Sequence, residues 1–267
     1  MSDVKKQIEK ISAIFHQAHL FAEEEKKQEE LISFLESTDN EFKSVAYEGA
    51  AMMLALNDFS KGETLPQWRT FMEGPGAKHT AQIHVGLGWA IAQLKIRMLP
   101  ILKYIEPLMQ VRVADGCGYY EGMFRQKQLI KKPNPYFDEN SLPDYIDKKF
   151  IHHYVQGIGR SIWYLCDGDV NKITLSIQRF FATFHGDLWR GIGIACSYTG
   201  GCNEQQLKII LSTASSHSEQ LKQGACVAAS TRYHAGAITK DIELACTTWC
   251  NLSVQEAMNF YLNREPN

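Results

Sequence analysis

The sequence lacks any apolar run approaching the roughly 18 residues that a membrane span requires. It also lacks an excess of charge: 28 basic side chains stand against 30 acidic ones, for a formal net charge of -2. The first absence argues for a soluble chain. The second removes the electrostatic reason to expect nucleic acid or an anionic membrane surface as a partner, since both reward a basic face. With 8 prolines and 19 glycines, collagen-like and low-complexity classes are excluded. The opening MSDVKKQIEK has no apolar core of a signal peptide, and the 7 cysteines are odd in number and scattered, so they read as reduced thiols in cytoplasm.

Familiar chemical motifs are missing as well. There is no HExxH, no CxxC and no paired Cys and His cluster at zinc spacing. Cys246 and Cys250 lie one helical turn apart without a second pair, His79 and His84 align poorly on a helix, and His152 and His153 are adjacent and point different ways. The sequence therefore predicts neither a metal nor another cofactor. No GxSxG elbow is present, and the Gly-rich pieces GIGRS and GIGIA sit inside helical patterns rather than between a strand and a helix.

What is there is a globular composition, 45% hydrophobic and 22% charged, carrying an internal repeat. Residues 1–40 place Val4, Ile8, Ile11, Phe15, Leu20, Leu31 and Leu35 among many charges, which suits amphipathic helices serving as an N-terminal cap. Beyond them, six windows align on Gly49, Gly86, Gly116, Gly157, Gly191 and Gly224, at spacings of 37, 30, 41, 34 and 33 residues. Two residues after each glycine stands a small side chain: Ala51, Gly88, Gly118, Gly159, Gly193 and Cys226. Apolar residues flank the glycine at helical period, with Glu121 as the exception. Glycine inside a helix costs roughly 0.5–1 kcal/mol relative to alanine. Its repeated use implies that another backbone approaches closely.

A period near 35 residues matches helical-hairpin repeats of tetratricopeptide or HEAT-like type. Second helices fit between the windows, with Asp169, Asn203 and Thr239 as N-caps. The expected fold is all-α: about six helical hairpins in a single curved superhelical domain over residues 41–267, following the cap over 1–40. The proline-bearing stretch 126–144 reads as an insertion loop, with a lid or docking role as the functional alternative.

The windows YEGAAMMLAL, HVGLGWAIAQL, DGCGYYEGMF, QGIGRSIWYL, DLWRGIGIACSYTGG and QGACVAAS, read together, resemble the domain-of-unknown-function family 1702, the enediyne biosynthesis protein family. The resemblance covers roughly residues 44–236 and carries over no catalytic residue. It implies association with gene clusters that build polyene-derived polyketides by an iterative synthase.

Opposite the apolar stripe the windows hold a mixed polar and aromatic face: Glu48, Trp89, Asp115, Tyr119, Gln156, Arg160 and Arg190, joined by His152, His153, Trp163 and Asp187. In a helical-repeat array these residues face a common groove. Three readings stay open at this point. The groove binds a hydrophobic polyene-like metabolite or a carrier or partner protein; or it is the cleft of a metal-independent, non-redox enzyme using His152 or His153 with Asp115, Asp187, Glu48, Arg160 and Arg190; or the network is purely structural, in an interaction scaffold.

Overall fold

The computed structural model describes residues 3–23, 28–62, 64–131 and 139–262. Among these the chain is all-helical, with no strand. In order the helices are α1 (Asp3–Glu23), α2 (Gln28–Glu36), α3 (Asn40–Ser60), α4 (Pro66–Glu73), α5 (Thr80–Leu94), α6 (Leu99–Leu102), α7 (Pro107–Phe124), α8 (Ile151–Leu165), α9 (Val170–Ile177), α10 (His185–Thr199), α11 (Glu204–Ala214), α12 (Ser218–His234), α13 (Lys240–Ala245) and α14 (Val254–Leu262). Each glycine window lies inside one helix: α3, α5, α7, α8, α10 and α12.

The three N-caps read from the sequence are in place. The Asp169 carboxylate accepts from the backbone N–H of Asn171 and Lys172 at 3.0 and 3.2 Å, satisfying donors that the first turn of α9 leaves open. Asn203 and Gln206 exchange reciprocal side-chain to backbone bonds at the start of α11. Thr239 caps α13. The linking elements are less regular than matched hairpins would be. Helix α6 has four residues, and between α7 and α8 the described residues form only short helical turns, where Pro143 removes a backbone donor. Residues 132–138 of that insertion lie outside the described residues. Its far end is anchored: Met98 N–H donates to Tyr145 O at 2.9 Å, and the Tyr145 hydroxyl donates to the buried Glu121. Arg125 holds the other Glu121 oxygen at 3.1 Å. Glu121, the one charge on the apolar stripe, is thus paired on both sides.

The glycines are the sites of backbone contact. Helices α1, α3, α5, α7, α8, α10, α12 and α14 pack each against the next in that order. At each step from α3 to α12, the aligned glycine rests on the carbonyl of one residue of the helix before it: Gly86 on Glu48, Gly116 on Val85, Gly157 on Asp115, Gly191 on Gln156, Gly224 on Arg190. Gly49 rests in the same way on Phe15 of α1. In every one of the first five pairs the carbonyl belongs to the residue just before the partner's own aligned glycine, so a single register propagates through the array. In the four windows that have a second glycine, it serves the other side. Gly88, Gly118, Gly159 and Gly193 meet the carbonyls of Val113, Tyr154, Leu188 and Leu221 on the following helix. Where the termini can be compared, like ends meet: Thr199 Oγ1 donates to Tyr164 Oη at 3.0 Å at the C-terminal ends of α10 and α8, while Asp187 and His152 meet near their N-terminal ends. These two helices are parallel.

The array also returns on itself. Arg232, near the end of α12, donates to Glu41 O at 2.7 Å and to Tyr198 O at 2.6 Å. Asn40 donates to Gly236 O at 3.0 Å. Helix α1 packs along α3 and brings Val4 against Gly168 and Gly201, in the loops that follow α8 and α10. It therefore runs from α3 to the far side of the molecule.

Alanine at Gly157 or Gly191 is expected to destabilise the chain by about 2–3 kcal/mol, because the added Cβ meets backbone that cannot step aside. Gly186, at the start of α10, faces only the flexible Gln220 side chain; Gly186→Ala is expected to change stability by less than about 0.5 kcal/mol. Urea unfolding of the three variants checks this, and equal losses at all three positions would remove the backbone-contact argument.

Candidate functional site

Because each aligned glycine sits on a neighbour's backbone, the side chains on either side of that contact are forced apart, and one flank turns to the middle of the molecule. There a cavity of about 240 Å³ opens. Its polar lining is Glu48 from α3, Gln82 from α5 and Arg160 from α8. Trp89, Tyr119, Tyr164 and Tyr198, from four successive helices, supply aromatic walls. Helix α1 adds Ile11, Ser12, Phe15 and His16, of which Ser12 and His16 are exposed, as is Phe124 at the other edge. The mouth lies between these residues, and Glu48 and Arg160, both nearly inaccessible, lie at depth.

Phe15, Trp89, Tyr119 and Tyr164 form one connected set. Phe15 and Trp89 centroids lie 5.0 Å apart, Trp89 meets Tyr119 edge-on at 4.7 Å, and Tyr119 stacks on Tyr164 at 5.5 Å. The Arg160 guanidinium lies 4.6 Å from the Tyr119 ring centroid. Arg160 also forms an ion pair with Asp115, whose other oxygen accepts from Gln156 Nε2 at 2.8 Å. Both charges are buried, and removing either partner strands the other.

Glu48 is placed differently. One carboxyl oxygen accepts from the neutral Gln82 amide, and among the described residues no cation forms an ion pair with it. Burial pushes its carboxyl up to about 8, an effect that Arg160 opposes and Asp115 reinforces. Glu48 is therefore a neutral acid at pH 7. Burial likewise raises the Tyr119, Tyr164 and Tyr198 hydroxyls, which stay protonated.

Of the residues singled out from sequence, Glu48, Trp89, Tyr119 and Arg160 line the cavity, and Asp115 and Gln156 lie directly behind Arg160. The others do not line it. His152 Nδ1 bonds the Asp187 carboxylate at 2.7 Å near the N-termini of α8 and α10, with the imidazole 61% exposed. His153 follows it in the first turn of α8, and half-buried Arg190 acts on Asp187 through its charge. Trp163 is buried beside Gly168. The acid and base set that combined His152 or His153 with Glu48 is thus divided between two places, because those histidines stand about two helical turns nearer the start of α8 than Arg160, which lines the cavity.

Sequence reasoning missed Gln82, Tyr164 and Tyr198 and the whole contribution of α1. Part of the signal was available. Seven residues after the aligned glycine stand Met123, Tyr164 and Tyr198, all of which line the cavity. The α1 residues carry no such marker.

Compared with known proteins, the whole chain, residues 1–267, matches the model of a family described as protein of unknown function, DUF1702. The chain belongs to that family. No curated protein matches it, and no solved structure does. Among the described residues no cluster of three or more His, Cys, Asp or Glu is arranged to hold a metal ion, and no helix is long and apolar enough to cross a membrane. All seven cysteines are free.

Arg160→Ala is expected to cost about 3–5 kcal/mol, since it leaves the Asp115 carboxylate buried without its cation; an unchanged urea midpoint would show that Asp115 does not depend on it. Glu48 predicts a pH effect of definite sign. A carboxyl whose folded-state pKa is raised from 4.5 to about 8 holds its proton more tightly in the folded chain. Its stabilising contribution is full below about 4.5 and is lost as pH rises toward 8. Glu48→Gln should remove about 3–5 kcal/mol of that decline. Thermal melts from pH 4.5 to 9 check this, and parallel profiles for the two proteins would contradict it.

Proposed function

We propose that this chain is a small-molecule-binding protein of a polyketide natural-product pathway, whose central cavity holds an apolar, polyene-like metabolite. In this reading the successive glycine helices are a curved helical-hairpin repeat array, and α1 is a cap that lies across its inner face and narrows a groove to a pocket. The observation that carries the proposal is the cavity itself. It is walled by a connected aromatic set with two convergent polar groups at depth, Glu48 and Arg160, the composition that small-molecule sites share. Flat conjugated ligands gain dispersion and quadrupole contacts against such walls. The family resemblance seen in the glycine windows supports a polyene as the metabolite, through the pathway association it implies.

A partner-protein reading calls for an open groove, and the contribution of Ile11, Ser12, Phe15 and His16 to the lining speaks for a small ligand instead. The acid and base reading retains one specific support. Glu48 is a carboxyl that titrates near neutral pH within the cavity, a property of groups that exchange protons with substrates.

The test uses β-ionone, a conjugated ketone, as a probe. Titration into the purified protein is expected to quench tryptophan emission saturably, with less quenching in Trp89→Phe. Val45 also lines the cavity from α3, and Val45→Phe, which fills it, is expected to weaken binding at least tenfold. Quenching that neither substitution alters would place the probe elsewhere and count against the proposal, as would native mass spectrometry showing no bound β-ionone.

A further inference from the structure

Asp115, Arg160 and Glu48 are buried at the inner end of the cavity, and with all three ionised their charges would not balance. Asp115 and Arg160 form an ion pair, and Gln156 completes the hydrogen bonding of the Asp115 carboxylate. That pair is electrically closed. Glu48, 4% exposed, remains as a second carboxyl with only the neutral Gln82 amide as its bonded partner. The groups that face the cavity around it are Arg160 and Tyr164 from α8, Tyr119 from α7, Tyr198 from α10 and, at the mouth, His16 from α1. Of these, Arg160 attracts Glu48 through its charge but gives its hydrogen bond to Asp115, and the tyrosines are neutral hydroxyls.

We propose that the cavity is built for a cationic ligand: an apolar molecule bearing one protonated or quaternary amine, whose positive charge pairs with Glu48 between the faces of Trp89 and the neighbouring tyrosines. The inference rests on the small-molecule reading given above and specifies the polar end of that molecule. Electrostatics and shape agree on it. A carboxylate buried without a cation is costly, so the empty site keeps its proton, in keeping with the raised Glu48 pKa. An entering cation removes that cost and is attracted by the negative faces of the aromatic rings. An anionic ligand would add a second negative charge beside a single guanidinium that Asp115 already engages, and would hold Glu48 protonated. A neutral ligand would leave Glu48 as it is and draw nothing from the charge imbalance.

Cation binding below about pH 8 must therefore expel the Glu48 proton. The proton leaves to solvent, the carboxylate stays to face the cation, and the sum of charges at depth remains zero.

The experiment compares 4-phenylbutylamine with its neutral isostere 4-phenylbutan-1-ol by isothermal titration calorimetry. Measurements at pH 7 in buffers of different ionisation enthalpy report the protons released. The expected result is at least tenfold tighter binding of the amine, with release of close to one proton, against none for the alcohol. Glu48→Gln should erase the preference and the proton release while keeping the alcohol affinity, which shows that the variant is folded. Equal or tighter binding of the alcohol to the unaltered protein would overturn the cation assignment. So would amine binding without proton release, or binding of β-ionone when neither 4-phenyl compound binds; in each case the small-molecule reading survives. Failure of all three compounds to bind overturns both.

Discussion

When the carbonyl of one helix rests directly on a glycine of the next, there is no room at that point for a side chain on either partner, and the two axes are held at backbone contact. Everything else in the molecule follows from repeating this contact. From α5 to α12 the same two positions of the window are used at each step, one toward the preceding helix and one toward the following, so the register of any pair determines the register of its neighbour. The glycines cost helix stability locally, and the gain is close packing on both flanks along the array.

A consequence is that the rows beside the contact are sorted without choice. Residues on the outer flank pack against the short linking helices, where a single amphipathic face suffices, as with Ile173 and Ile177 of α9 or Leu207 and Ile210 of α11. Residues on the inner flank converge. Polar side chains placed there lose water whether or not they have partners, which is why Gln156 and Arg160 both bond Asp115. Glu48 departs from this rule: it is as buried as the others and lacks a cation. A departure of this kind costs stability that a fold would not otherwise give up, and such costs concentrate where a protein binds or reacts.

The His152 and Asp187 pair shows the opposite case. It has hydrogen-bond geometry suited to acid and base work, yet it lies toward solvent at the helix starts, away from the cavity. Residue types and a plausible spacing placed it on the same face as Glu48 and Arg160. Helices that cross at an angle do not present the same rung to a common centre. Along the array the cavity takes Val45 and Glu48, before the aligned glycine, from α3; Gln82 and Trp89 from α5; Tyr119, Met123, Arg160 and Tyr164, all after it, from α7 and α8; and Tyr198, seven residues after it, from α10. The lining drifts toward the C-terminal ends.

The sequence by itself determined the helices, the sites where their backbones touch and the N-caps at Asp169, Asn203 and Thr239, because each of these is decided by residues within one or two turns of one another. It also placed Glu48, Asp115, Gln156 and Arg160 on one flank, since helical period alone does that. Only the tertiary structure decided which rung of each helix reaches the centre, that α1 would cross the inner side and lend Phe15 and His16 to the lining, and that Arg160 would take Asp115 rather than Glu48 as its partner. These depend on crossing angles and on contacts between segments more than 30 residues apart, where a local pattern carries no geometric information.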